Sequence, residues 1–272
     1  YKLMKRFTKP FNFLLIIITL GAFTACDKNN NVALFSVQND IELGQQVSAE
    51  IENDPNFDLM SRSEYPEAYN YLDDMVNEIL NSGEVAYRQE FAWDVTLVKN
   101  DSTLNAFAAP GGYIYVYTGL IKYLDNADDL AGVIGHEIAH ADLRHTSRNL
   151  QRQYGVSILL SIILGNDASK LEQIAGQIAG TLAGLEFSKE FEEEADAKSV
   201  VYLADTKYAC NGAASFFVKL EEQGQTGGPE FLSTHPNPGN RVADINAKAD
   251  EVGCDTTPIG GDGYAQFKAD LP

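Results

Sequence analysis

The feature that most constrains this chain is the pentapeptide His136-Glu137-Ile138-Ala139-His140. On an α-helix, residues four apart lie about 40° from each other in projection, so both imidazoles point to the same side. Two imidazole nitrogens on one side can bind one metal ion. Glu137, about 100° further round the helix, can then reach a water molecule without being a ligand itself. The spacing predicts two ligands of a hydrolytic zinc site, with Glu137 as its general base.

The predicted metal-site helix extends to about His145. His145 lies five residues after His140, which places it on a different face of a continuous helix. We therefore expect a helix-terminal residue beside Arg144 and not a third ligand. The core side of the helix is expected to consist of Leu130, Val133, Ile134, Ile138 and Ala141.

A third ligand is expected from the acidic segment Ser188–Asp196, in a long helix predicted over 168–205. A run this acidic is usually a solvated face. Glu192 and Asp196 nevertheless share a face, and a carboxylate would complete the two-histidine, one-glutamate set typical of catalytic zinc peptidases. Asp196 could then accept a hydrogen bond from the second nitrogen of a ligand histidine. Spacing alone leaves Glu193 as an alternative ligand.

Two alternating segments predict strands, at 93–98 and at Tyr113–Tyr117, and Pro110-Gly111-Gly112 between them predicts a turn. Asn105 and Ala106 open the stretch before this turn. One interpretation is a hairpin that supports the metal-site helix. The other is an open edge strand beside the metal, to which an extended peptide could bind through its backbone. Helices are predicted over 36–52 and 65–81.

The N-terminus has the pattern of a secretion signal: basic residues, the short apolar run Phe13–Leu20, and small residues ending at Ala25-Cys26. Ala25-Cys26 resembles a bacterial lipobox, which predicts a leader over 1–25, a lipidated Cys26, a tether over 26–35 and one domain over 36–272. The alternative is a plain secreted protein. The net charge of −19 excludes nucleic acid as an expected partner.

With Cys26 lipidated, Cys210 and Cys254 remain as an even pair. In an oxidising compartment such a pair predicts a disulfide, the alternative being two separate buried thiols. Further along the chain, Ser233–Arg241 is a loop bounded by Pro and Gly. His235 in this loop is either incidental, a stabiliser of the oxyanion, or a residue that caps the zinc in a resting state.

Together these pieces resemble the HtpX and CAAX-prenyl-protease family of gluzincin metallopeptidases, especially its periplasmic lipoprotein members. The family pattern Ser-Arg-x-x-Glu-x-Glu-Ala-Asp is similar to Ser188–Asp196, with Lys189 in place of Arg. The resemblance implies that Glu192 is the third ligand and Asp196 its outer-shell partner, and that Asn105 and Ala106 belong to a substrate-binding edge strand. The remaining matching segments are Glu42-Leu43-Gly44, Asn105-Ala106-Phe107 with Pro110-Gly111-Gly112, His136–His140, and Thr234-His235-Pro236 with Arg241.

We therefore predict an α+β, zincin-like domain, mostly helical, with a small antiparallel sheet and the active site between two helices. His136, His140 and Glu192 are expected to bind one Zn²⁺ per chain. The expected activity is hydrolysis of internal peptide bonds, and the resemblance implies damaged or misassembled envelope proteins at the periplasmic side of a membrane as substrates. Sorting between inner and outer membrane stays open. The alternative is a lipid-anchored assembly or chaperone-like factor with a closed or structural zinc site.

Overall fold

The computed structural model describes residues 28, 35–153, 168–222, 230–236, 239–260 and 263–272. The predicted leader, the predicted lipidation site Cys26 and nearly all of the predicted tether lie outside these ranges. Among the helices of the described residues, none has the length and apolar character needed to cross a bilayer.

The described residues form a mostly helical domain with one small sheet, which confirms the predicted fold class. The strands are β1 (Asp94–Val98), β2 (Ala106–Ala109) and β3 (Tyr113–Tyr117), with a 3₁₀ turn at Pro110–Gly112. The helices are α1 (Val37–Asn53), α2 (Pro66–Leu80), α3 (Thr118–Tyr123), α4 (Ala127–Asp142), α5 (145–153), α6 (Ala168–Leu182), α7 (Lys189–Leu203), α8 (Gly212–Glu222), α9 (Glu230–Thr234), α10 (Arg241–Val252) and α11 (Tyr264–Ala269).

The sheet is mixed, where the sequence predicts it to be purely antiparallel. Its order is β1-β3-β2: β2 pairs antiparallel with β3, from Ala106 opposite Val116 to Ala109 opposite Tyr113, but β1 pairs parallel with β3. The reason is topological. The chain reverses once between β1 and β2 and again at the Pro110–Gly112 turn, so β1 and β3 run in the same direction, and β3 then lies between the other two strands.

Helix α4 is the centre of the domain, because every residue from Ala127 to Asp142 is buried. Asn126 caps its N-terminus by accepting a hydrogen bond from the Asp129 backbone N–H at 2.9 Å. At Gly132 the backbone of α8 comes so close that a Cβ atom would lie 2.0 Å from the Ala213 nitrogen. A glycine is therefore required for α8 to pack here.

Two hydrophobic clusters lie on the two sides of the sheet. The larger one surrounds α4 and includes side chains of α2, α7, α8 and α10. The smaller one joins α1 and α6 to the opposite face of β2 and β3, through Phe107 and Tyr115. The metal-site helix thus packs on one side of the sheet and leaves β2 at the sheet edge nearest the site.

The long helix predicted over 168–205 is two helices, α6 and α7, separated by residues 183–188. Ser188, at the end of this connection, is the N-cap of α7: its side chain accepts a hydrogen bond from the Phe191 N–H. Because the chain leaves the helical path here, Phe187 can stack on His140, with ring centroids 4.2 Å apart. The Phe187 ring, which belongs to this connection, therefore forms one side of the site.

Cys210 and Cys254 form the predicted disulfide, which connects the loop after α7 to the end of α10. We expect the double variant Cys210→Ala/Cys254→Ala to lose about 2–4 kcal/mol of unfolding free energy, since the cross-link restricts the unfolded chain. Urea unfolding with and without reductant measures this loss. Reductant should destabilise the wild type and leave the variant unchanged; equal stability of the two proteins under oxidising conditions would contradict the expectation.

Asp129, in the first turn of α4, predicts a pH-dependent stability. Its side chain is 3% exposed, and one carboxylate oxygen has no hydrogen-bond partner among the described residues. Burial raises the pKa of Asp129 to about 6. The native state therefore retains this proton to a higher pH than the unfolded chain, so stability is lost as the pH rises from about 4 to 6.

The variant Asp129→Asn should accordingly gain stability over the wild type as the pH rises from 4 to 7, by about 1–3 kcal/mol. Urea unfolding at several pH values measures the difference between the two proteins. Asp250→Asn, on the exposed side of α10, is the control for removal of a negative charge. A difference between Asp129→Asn and wild type that is constant over this pH range would contradict the assignment.

Candidate active site

Four side chains from three elements converge on one point. His136 and His140 come from α4, Glu192 comes from α7, and His235 follows α9; their ligand atoms all lie within 4.8 Å of one another. The two Nε2 atoms of His136 and His140 are 2.9 Å apart. Glu192 lies 3.4 Å from each of these nitrogens through its two oxygens. All four side chains are at most 1% exposed.

The separations of these atoms fit a tetrahedral metal centre. Zinc–nitrogen bonds of about 2.0–2.1 Å at tetrahedral angles place ligand atoms about 3.3 Å apart. The His235 Nδ1 atom is 3.3 Å from the His136 Nε2 atom and 3.2 Å from a Glu192 oxygen. Glu192 Oε2 makes no well-formed hydrogen bond with the described residues. A buried carboxylate oxygen among converging nitrogens is the donor set expected for Zn²⁺.

Glu137 lies beside this cluster and is fully buried. Neither of its carboxylate oxygens has a hydrogen-bond partner among the described residues, and one of them is 3.5 Å from the His235 Nε2 atom. Burial raises the pKa of Glu137. A buried carboxylate with a raised pKa and no hydrogen bond to the described residues can accept and return a proton beside a metal site.

His136 is oriented by a buried ion pair. Asp196 lies 2.9 Å from its Nδ1 atom, which directs the Nε2 lone pair to the ligand position. Arg241 in turn donates two hydrogen bonds to Asp196, at 2.6 and 2.7 Å, and one to the His235 carbonyl oxygen at 3.2 Å. Arg241 therefore connects the outer shell of the metal site to the loop that carries His235.

The buried carboxylates also set the protonation of the metal-free site. Burial by itself would lower the pKa of His136, but hydrogen bonds to Asp196 and Glu192 raise it to about 9. Burial would likewise raise the pKa of Glu192, but the charge of His235 and hydrogen bonds from the histidines lower it far below its ordinary value. A metal ion that binds at the Nε2 atom of His136 would therefore displace a proton from that ring.

Asn105 and Ala106 lie where β2, the edge strand, begins. Ala106 pairs with β3, and the Asn105 side chain donates a hydrogen bond to the Ala183 carbonyl oxygen at 3.0 Å. The Asn105 Oδ1 atom is buried and has no partner among the described residues. All of β2 is buried, so the strand is an edge by its position in the sheet but is covered in this structure.

Three backbone segments meet over the site and cover it. The Phe231 N–H donates to the Leu104 carbonyl oxygen at 3.1 Å, and the Phe187 N–H donates to the Thr234 carbonyl oxygen at 3.2 Å. With the Asn105–Ala183 hydrogen bond, these contacts join the start of β2, the α6–α7 connection and the His235 loop. The structure therefore represents a closed site.

His145 is absent from the ligand cluster, as predicted, but the predicted end of its helix is wrong. Its Nδ1 atom lies 2.8 Å from the Nδ1 atom of His140. The prediction assumed a continuous helix, whereas α4 ends at Asp142 and Arg144 adopts a positive φ of 59°. No glycine marks that turn, so the sequence carries no local signal for it. Burial lowers the pKa of His145 to about 4, so its ring is neutral at pH 7.

Comparison with known proteins agrees with this geometry. The sequence model of Peptidase family M48 matches residues 48–249. The beta-barrel assembly-enhancing protease of Yersinia pestis is 34% identical over 167 residues, which cover 57% of this chain and 34% of that protein. The mitochondrial metalloendopeptidase OMA1 of Arabidopsis thaliana is 30% identical over 164 residues, which cover 60% of this chain and 33% of that protein.

OMA1 of Saccharomyces cerevisiae is 28% identical over 171 residues, which cover 59% of this chain and 49% of that protein. The chain thus matches between about a third and half of the length of these curated relatives. The matched family region includes Glu137 and all four residues of the ligand cluster. On the strength of that match, the chain belongs to peptidase family M48.

Proposed function

We propose that this chain is a zinc-dependent endopeptidase that hydrolyses internal peptide bonds of unfolded or misassembled cell-envelope proteins. The observation that carries the proposal is the convergence of His136, His140 and Glu192 beside Glu137, a buried carboxylate without a hydrogen bond to the described residues. A structural zinc site has no need of a buried carboxylate held next to it without a partner. Membership of peptidase family M48 supports the same activity.

A zinc ion held here would polarise the scissile carbonyl group and make a water molecule acidic near neutral pH. Side chains of the protein transfer the proton, orient the ligands and exclude water. Glu137 accepts a proton from the attacking water on one of its carboxylate oxygens and returns it to the leaving amine nitrogen. Asp196 holds His136 in the tautomer that presents Nε2, and the Phe187 ring stacked on His140 excludes water from that side.

In the closed structure, His235 takes the place that substrate and water need. Its Nδ1 atom completes a four-ligand set with His136, His140 and Glu192, and its ring stacks on Phe231 with centroids 4.4 Å apart. A catalytic zinc site keeps one position open. We therefore assign His235 to a resting state, and hydrolysis requires that its loop move away.

The variant His235→Ala should cleave unfolded casein faster than the wild type when zinc is saturating. Zinc should also bind at least about tenfold more weakly. Loss of an outer-shell partner already weakens metal binding by about tenfold, and loss of a ligand should weaken it by at least as much. The double variant Glu137→Gln/His235→Ala is the control and should be inactive if the cleavage arises at this site. A His235→Ala protein that keeps its zinc but loses cleavage would instead assign His235 to stabilisation of the oxyanion.

The proposed substrate class rests on the edge strand. An extended peptide could pair with the outer side of β2 once the Asn105–Ala183 hydrogen bond opens, and Ala106 would then line the scissile region. Unfolded or misassembled chains present a free extended backbone of this kind. One matched relative is named as a beta-barrel assembly-enhancing protease, and this name supports envelope proteins as substrates.

The proposed location is the bacterial cell envelope, with the domain facing the periplasm on a lipid attached to Cys26. The apolar run before Ala25-Cys26 and the disulfide between Cys210 and Cys254 support an extracytoplasmic compartment. Membrane fractionation of cells that express the wild type or Cys26→Ser tests the anchor. Equal recovery of both proteins in the membrane fraction would contradict it.

The second candidate is a lipid-anchored assembly or chaperone-like factor whose zinc site stays closed. The observation in its favour is the complete burial of the four-ligand cluster, including His235. Zinc content and casein cleavage, measured on the same full-length preparation, separate the two. About one zinc per chain with zinc-dependent cleavage supports the peptidase. One zinc per chain without cleavage of unfolded proteins, by the wild type and by His235→Ala alike, supports the assembly factor.

A further inference from the structure

A series of hydrogen-bonded side chains leads from the buried His140 towards the surface and has no part in the ligand cluster. It begins at His145, continues to Glu194 and ends at Arg148. The His145 Nε2 atom lies 3.0 Å from a Glu194 oxygen, and Arg148 contacts both Glu194 oxygens, at 2.5 and 3.3 Å. His145 is fully buried, while the Glu194 side chain is 34% exposed.

Only one placement of hydrogens satisfies the contacts from His140 through His145 to Glu194 when a metal is bound at His140. His140 needs the lone pair of its Nε2 atom for a metal, so its Nδ1 atom carries the proton. His145 must then accept that proton's hydrogen bond at Nδ1, which leaves its own hydrogen on Nε2. That hydrogen points to Glu194, an anion whose charge is matched by Arg148.

The backbone is strained to bring His145 to this place. Arg144, the residue before it, has a φ of 59°, a value that non-glycine residues rarely adopt. Its guanidinium forms a buried ion pair with Asp40 and donates a hydrogen bond to the Phe35 carbonyl oxygen. Residues at and just before α1 thus hold the turn between α4 and α5.

The ring of His145 is also fixed by packing. Phe191 stacks on it nearly parallel, with centroids 4.4 Å apart and planes at 10°. The guanidinium of Arg148 lies 4.3 Å from the centroid of the same phenylalanine ring. His145 therefore has one orientation in which its two nitrogens face His140 and Glu194.

We propose that His145 is a positioning residue that fixes the tautomer and ring orientation of His140 and is itself oriented by Glu194 and Arg148. The proposal rests on the proposed function to the extent that His140 is a zinc ligand. The two histidine ligands then differ in their outer partners: His136 has the anionic Asp196, whereas His140 has a neutral imidazole. The partner of His140 lies on α5 and is itself oriented by Glu194 on α7, whereas the partner of His136 lies on α7.

The low histidine count makes the proposal directly testable. The chain has four histidines, so ¹⁵N-histidine labelling gives four imidazole spin systems, which single substitutions assign. In the zinc-loaded full chain, long-range ¹H–¹⁵N spectra should show His140 protonated at Nδ1 and His145 at Nε2. His145→Phe keeps the ring volume without an acceptor, and His145→Asn restores an acceptor near the Nδ1 position.

We expect His145→Phe to bind Zn²⁺ about 10–100-fold more weakly in competition with a chelator, and to lose the hydrogen-bonded Nδ1 proton of His140. His145→Asn should recover most of the affinity, and Glu194→Gln should lose part of it. Glu193→Gln, an adjacent and exposed charge-matched control, should bind as the wild type does. Recovery by Asn separates positioning from a merely structural effect.

The proposal would be overturned if zinc affinity and the His140 spectrum were unchanged in both His145→Phe and Glu194→Gln. That result would leave the peptidase assignment intact. Equal losses in His145→Phe and His145→Asn, with Glu194→Gln unaffected, would also overturn it. A protein that binds zinc with the predicted tautomers but does not cleave casein, either as the wild type or as His235→Ala, would contradict the proposed function alone. Failure of the wild type to bind zinc would overturn both.

Discussion

The variant Glu137→Gln should lose peptide hydrolysis by about 10²–10⁴-fold and keep about one zinc per chain. The amide cannot accept a proton from the attacking water, but it has nearly the same size as the carboxylate. The Glu137 oxygens have no hydrogen-bond partner among the described residues, so the substitution breaks no hydrogen bond in that part of the fold. Stability should be unchanged or slightly higher, because the burial that raises the pKa of Glu137 no longer acts on a charge.

Initial rates on unfolded casein, zinc content and urea unfolding of the same preparations measure these three quantities. Glu193→Gln is the matched control, since it makes the same substitution on the exposed side of α7 and should cleave at the wild-type rate. The general-base assignment would be wrong if Glu137→Gln cleaved casein within a few-fold of the wild type. A variant that lost its zinc would indicate that Glu137 contributes to the metal site.

The variant Arg241→Met should lose about 3–5 kcal/mol of unfolding free energy. Arg241 is 1% exposed, donates two hydrogen bonds to Asp196 and lies 3.2 Å from Glu192. Without the guanidinium, two buried carboxylates lose the positive charge between them. The loss should be greater in the zinc-free protein, where no divalent cation compensates part of that charge.

Urea unfolding with and without a chelator measures the effect. Arg62→Met is the control, because Arg62 also pairs with two aspartates but its side chain is 45% exposed, and its removal should cost less than about 1 kcal/mol. Adding Asp196→Asn to Arg241→Met should restore part of the stability by removing one unpaired charge. Equal losses in Arg241→Met and Arg62→Met would show that the buried ion pair does not hold α10 in place.

Helical periodicity explains why part of the site could be predicted from the sequence. His136, Glu137 and His140 are related by local helix geometry, which needs no information from other parts of the chain. The same is true of the bounds of α1 and α2, which differ from the predicted helices by one residue at each end. The choice of Glu192 over Glu193 was harder, because both lie in one acidic run and the resemblance to a family was needed to decide between them. The structure buries Glu192 completely and exposes Glu193.

Long-range packing explains what could not be predicted. Whether β1 pairs with β3 or with β2 decides whether the sheet is mixed or purely antiparallel, and no short sequence pattern encodes that choice. The turn at Arg144 depends on its ion pair with Asp40, a residue more than one hundred positions earlier in the chain. A continuous helix would have turned the His145 ring away from His140, whereas the turn at Arg144 lets the two rings meet. The closed position of His235 likewise depends on contacts with Phe231 and Arg241.

The sequence by itself determined the chemistry of this protein: two histidines and a base on one helix, an acidic helix to supply a third ligand, and a pair of cysteines. These follow from residue type and local spacing. Only the tertiary structure decided the geometry: that α7 and the His235 loop meet α4 at one point, that His145 contacts His140, and that the edge strand is covered. The physical reason is that such contacts depend on buried charges and packing between distant segments, which local periodicity does not specify.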